Sequence, residues 1–121
     1  MLAHWTILCI DDEELALSLR KKVLEGAGYS VFTATSATQG LEVFKANSIH
    51  LVITDHLLKP GTESNFVAEL RQLSPNLPIM ILSGGNTLDD VVEPPDYRLH
   101  KLEGPTEMIA KVRSAIHLAN S

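Results

Sequence analysis

The stretch from Thr6 to Glu14 constrains this chain more than any other. Thr6-Ile-Leu-Cys-Ile10 is apolar and β-prone, and it runs straight into Asp11-Asp12-Glu13-Glu14. The apolar part suits a buried parallel strand. The acids then fall where that strand ends and a helix begins. In open α/β sheets, ligands bind outside the carboxyl ends of the strands. Acids crowded at that edge repel one another unless a cation joins them.

The rest of the chain repeats the same grammar. Leu15 to Glu25 reads as a helix, with Ala16, Leu19, Val23 and Ala27 spaced as one buried face. Gly26 and Gly28 mark its end. Tyr29 to Ala34 reads as a strand with Val31 and Phe32 in the core. Ser36 to Gln39 has capping-box spacing and opens a helix through about Lys45, with Leu41 and Phe44 on one face. His50 to Asp55 is a third strand, without alternation, and it also ends in an acid. Lys59 to Thr62 is a turn, followed by a helix from about Ser64 to Leu73 with Phe66, Val67 and Leu70 inward.

Pro78 to Ser83 is the fourth strand, ending in a hydroxyl before Gly84 and Gly85. Thr87 to Val92 has room for a turn or two of helix before Pro94 and Pro95 stop it. Tyr97 to Lys101 is a fifth strand. Pro105 starts a last helix whose face is Met108, Ile109, Val112, Ile116 and Ala119. Strands alternating with amphipathic helices predict one α/β domain, a parallel sheet covered by helices on both faces.

Composition narrows the function. A chain of 121 residues can bury a core without staples. Its net charge of −5 and pI near 5.4 argue against direct nucleic-acid binding. No apolar run approaches a membrane span, and the single cysteine, Cys9, sits mid-strand as a buried thiol in a reducing, cytoplasmic setting. His4, His50, His100 and His117 share no ligand spacing. Trp5 reads as packing, and Arg20, Lys21 and Lys22 read as a solvated helix face.

The polar residues that reach the carboxyl edge form an ordered set. Strand one delivers Asp11 and Asp12, strand three Asp55, strand four Ser83 and strand five Lys101. A hard divalent cation takes oxygen ligands, so this set suits Mg²⁺ better than zinc. A metal and a lysine can then neutralise the oxygens of a phosphoryl group meeting one carboxylate.

This pattern, from Ile7 to about Ala119, resembles the receiver domain of two-component response regulators. The resemblance implies a flavodoxin-like (βα)5 sandwich with strand order 2-1-3-4-5 and residues 1–121 as a single receiver without a fused effector. Asp55 matches the phosphoacceptor. Asp11, Asp12, Asp55 and the Leu57 backbone carbonyl match the site for Mg²⁺ (or Mn²⁺). Ser83 and Lys101 match the switch hydroxyl and its lysine. Leu57 and Gly85 occupy the positions that tune phosphate lifetime; neither side chain can orient a water, which predicts slow self-dephosphorylation.

The implied partners are a histidine kinase or phosphotransfer protein and an unknown downstream protein, with no nucleic acid and no membrane. The domain would be a cytoplasmic monomer or a phosphorylation-dependent homodimer. It would be no enzyme beyond catalysing its own phosphorylation and dephosphorylation. Departures from the pattern are Leu102 where proline usually follows the lysine, Tyr97 one position away from the usual switch aromatic, and a fourth helix that is short or irregular. Two other readings fit the same residues: a pseudo-receiver that binds partners without phosphorylation, and a Mg²⁺-dependent phosphatase with Asp55 as nucleophile.

Overall fold

The computed structural model describes residues 5–55, 63–83, 96–100 and 104–120. In chain order the elements are β1 (Thr6–Ile10), α1 (Glu14–Gly26), β2 (Ser30–Ala34), α2 (Ala37–Ala46), β3 (Leu51–Asp55), α3 (Glu63–Leu73), β4 (Ile79–Ser83), β5 (Asp96–His100) and α4 (Pro105–Ala119). The five strands form one parallel sheet in the order β2-β1-β3-β4-β5. The alternation predicts the parallel sheet, and the order is the flavodoxin-like one that the resemblance implies. The short helix expected between Thr87 and Val92 lies outside the described residues.

Two apolar clusters sandwich the sheet. One gathers Ile7, Cys9, Ile53, Met80 and Leu82 with Leu17 and Leu24 of α1 and Met108, Val112 and Ile116 of α4. The other gathers Leu8, Ile10, Val52 and Ile79 with Phe66 and Leu70 of α3, flanked by Leu41 and Phe44 of α2. Adjacent strand residues point to opposite faces, so residues 7–10 of β1 and 51–53 of β3 are apolar on both sides of the sheet. Every residue of β3 is buried.

Local chemistry sets the element ends. Ser36 caps α2 by accepting from the Gln39 N–H at 3.1 Å, and the Gln39 carboxamide oxygen accepts from the Thr35 N–H at 2.8 Å. The chain leaves α1 through Gly28, whose φ of +102° is disfavoured for any residue with a Cβ. At the opposite edge from the acids, the Thr6 N–H donates to His50 Nδ1 at 3.0 Å. The Trp5 and His50 rings meet edge to face at 5.1 Å. Both residues are therefore satisfied packing groups.

Three core expectations are corrected. In α1 the buried residues are Leu17 and Leu24, whereas Leu19 is 56% exposed. The inward stripe runs through Leu17, position 20 and Leu24, an i, i+3, i+7 spacing rotated from the predicted face. Leu15 and Leu19, one turn apart, face out instead. Phe32 is 38% exposed because β2 is an edge strand with one neighbour missing. Ala119, expected on the buried face of α4, is exposed, and Ala115 takes its place.

Candidate functional site

The parallel register builds the site. Ile10 pairs with Thr54, so Asp11 and Asp55 leave the sheet level with one another. Asp55 pairs with Leu82, so Ser83 stands one residue beyond it on the neighbouring strand. Ser83 pairs in turn with His100, the residue before Lys101. The edge order is therefore Asp11, Asp55, Ser83, then the end of β5.

Carboxylate oxygens of Asp11, Asp12 and Asp55 lie within 4.8 Å of one another. Asp11 and Asp55 are 1% and 2% exposed, while Asp12 is exposed. The Glu13 N–H donates to Asp11 Oδ1 at 2.9 Å, a local turn that stations the carboxylate at the start of α1. Three oxygen donors without a histidine or thiolate among them fit a hard divalent cation such as Mg²⁺. The nearby N-terminus of α1 adds a favourable dipole for the acids.

Arg20 is the residue that sequence reasoning misplaced. Its guanidinium lies 3.5 Å from Asp11 Oδ2 through both Nη1 and Nη2. Its side chain is 12% exposed, so it does not belong to a solvated face. The missed signal is its place between Leu17 and Leu24 on the buried stripe, where only a residue with an internal partner can carry charge.

The remaining predicted site residues divide into two groups. Tyr97 pairs with Met80, three residues before Ser83 in the register, and packs against the cluster under α1 and α4. Leu57, Gly85 and Lys101 lie outside the described residues, and of Ser83 only the strand position is described. Cys9 is fully buried, and burial pushes its thiol up to about 12, which makes it an inert core group.

The comparisons with known proteins agree with this geometry. The family model described as the response regulator receiver domain matches residues 7–112. The chain is 33% identical over 86 residues to the transcriptional regulatory protein GlrR of Escherichia coli (strain K12), covering 71% of this chain and 19% of that protein. It is 32% identical over 117 residues to the transcriptional regulatory protein YvrH of Bacillus subtilis (strain 168), covering 90% of this chain and 48% of that one. The chain thus spans about half or less of the length of these relatives. A crystal structure of a receiver domain protein from Clostridium thermocellum superposes with a TM-score of 0.86 at 30% identity, covering 96% of this chain and 97% of that one. On fold, edge chemistry and sequence together, this chain belongs to the response regulator receiver domain family.

Proposed function

We propose that residues 1–121 act as one receiver domain that takes a phosphoryl group onto Asp55 from a phosphohistidine donor, with Mg²⁺ held by Asp11, Asp12, Asp55 and the Leu57 carbonyl. The observation that carries this reading is the convergence of three carboxylates within 4.8 Å at the carboxyl edge of the sheet. Asp55 is the member best suited to accept the group. It is 2% exposed, at the centre of the edge, and one register position from Ser83.

In the proposed reaction an Asp55 carboxylate oxygen forms a bond to phosphorus as the donor's P–N bond breaks. The released imidazole nitrogen keeps the electron pair of that bond. Bound Mg²⁺ supplies charge neutralisation for the phosphoryl oxygens and the acceptor carboxylate. The Ser83 hydroxyl donates to one phosphoryl oxygen and Lys101 pairs with another. Leu57 and Gly85 offer no side-chain group to orient a hydrolytic water, so the acyl phosphate is long-lived.

The domain turns over no other substrate, works in the cytoplasm, and passes its state to a downstream protein. Leu15 and Leu19, exposed on α1 just beyond the acids, give the phosphodonor an apolar foothold beside the acceptor.

Intact mass after incubation with acetyl phosphate and Mg²⁺ tests the proposal. The expected product is a single phosphoryl adduct that is absent without metal and absent in Asp55→Asn, and that decays slowly when the donor is removed. Retained Mg²⁺ binding without an adduct would remove the phosphoacceptor reading and leave a protein-binding module. An adduct that disappears within seconds would remove the long lifetime.

A further inference from the structure

We propose that Arg20 is a built-in counter-cation of the acidic site: it holds Asp11 in the metal-free domain and competes with the divalent ion for it. The inference rests on the metal reading above and assigns a residue that sets the affinity of that site.

Three observations support it. The first is contact: both terminal guanidinium nitrogens lie 3.5 Å from Asp11 Oδ2, while Oδ1 accepts the Glu13 N–H. Each Asp11 oxygen thus already faces a donor. The second is placement: Arg20 occupies the inward stripe of α1 between Leu17 and Leu24, both buried. An aliphatic residue there would complete the stripe without desolvating a charge. A guanidinium there is retained against a desolvation cost that only nearby carboxylates offset. The third is charge balance. Asp11, Asp12 and Asp55 crowd three negative charges together, and Arg20 cancels one of them.

Competition follows from that arrangement. A dication entering the cluster meets a site whose attraction Arg20 has already reduced. Arginine does not lose its proton in a protein, so the competition is constant across the physiological pH range. The device keeps the acids ordered when the ion is absent and weakens the ion when it is present.

Calorimetric titration with Mg²⁺ tests this on the wild type, Arg20→Met and Arg20→Gln, with thermal unfolding in chelator and in saturating Mg²⁺ alongside. Arg20→Met keeps the apolar stem that packs on the stripe; Arg20→Gln is the second variant should the first fail to fold. The expected result is Mg²⁺ binding tighter by roughly tenfold in both, as for removal of one unit charge near a dication. Melting in chelator should fall, and saturating Mg²⁺ should close the gap.

Unchanged or weaker Mg²⁺ binding in folded variants overturns the proposal. So does an equal loss of stability with and without Mg²⁺, which marks Arg20 as packing only. Asp12→Asn separates the two readings. If it abolishes binding that the wild type has, the metal site stands and the Arg20 comparison is judged alone. If neither the wild type nor the Arg20 variants bind Mg²⁺ or Mn²⁺, the metal site falls and this inference with it.

Discussion

The interior of this domain holds a charge only where geometry answers for it. Cys9 has no such answer. It is fully buried under α1 and α4, and burial raises its thiol from 9.0 to about 12. The folded state therefore keeps the proton that an unfolded chain releases above pH 9. Stability owed to this thiol is intact below pH 9 and declines as pH rises toward 12. Native protein at pH 8 should resist a thiol-specific alkylating reagent, reacting only at the rate of global opening, and should react at once in denaturant. Fast native labelling would show that β1 opens locally.

Asp11 is the opposite case: equally buried, but answered by the Glu13 N–H and Arg20. Its arrival at the sheet edge was legible because a run of apolar residues ending in acid has few folded interpretations. Arg20 was not legible from charge alone, since a basic residue in an amphipathic helix is usually solvated.

At the scale of elements, α2 shows how a helix can be drawn onto a sheet by a missing side chain. A Cβ placed on Gly40 would stand 2.7 Å from Ile10 Cδ1, 3.2 Å from Ile10 Cγ1 and 3.4 Å from Phe66 Cε1. Two effects compete in Gly40→Ala. Helix propensity favours alanine by about 1 kcal/mol, whereas overpacking a filled core costs about 1–3 kcal/mol. Because Ile10 and Phe66 are both buried, overpacking should win, with a net loss of about 1 kcal/mol in chemical denaturation. Ile10→Val deletes the nearest atom, so the double variant should recover part of that loss. Strict additivity of the two single effects would show that the contact is not the cause.

The facing of α1 was the weakest part of the sequence reading, for a related reason. Leu15, Ala16, Leu17 and Leu19 put apolar residues on every side of its first turns. Periodicity could not choose a face there; contact with β1 and β2 did. The last helix was clearer, since Met108, Val112 and Ile116 repeat at one spacing with charged residues between them, and all three are buried.

Across the whole molecule, the hydrophobic interior and the acidic edge pull against one another. The parallel sheet covered on both faces was readable because buried parallel strands leave runs without alternation, whereas the strand order came only with the resemblance to the receiver family. The relation of Tyr97 to the site was not, because register across β4 and β5 cannot be read from one strand alone. The acids at the edge cost stability when no metal ion is present, because Arg20 offsets only part of the repulsion among three close carboxylates. Asp12→Asn should therefore raise the melting temperature in chelator by a few degrees, as expected for relief of about 1 kcal/mol in a domain this size. The same variant should lose the further stabilisation that the proposed Mg²⁺ site would give the wild type. A variant that melts lower in chelator would show that Asp12 holds the edge together by hydrogen bonding instead.

Trp5 is the single tryptophan, and it sits against His50 at the amino end of β1, the far end of the strand from Asp11. Five strand residues separate Trp5 from the first of the acids, a span of roughly 20 Å. Its emission is thus blind to events confined to the carboxyl edge, yet sensitive to loss of the β1–β3 junction where the Thr6 N–H meets His50. An intrinsic-fluorescence change on phosphorylation would then be a message carried the length of the central strand, and a silent spectrum would place the whole response at one rim of the sheet.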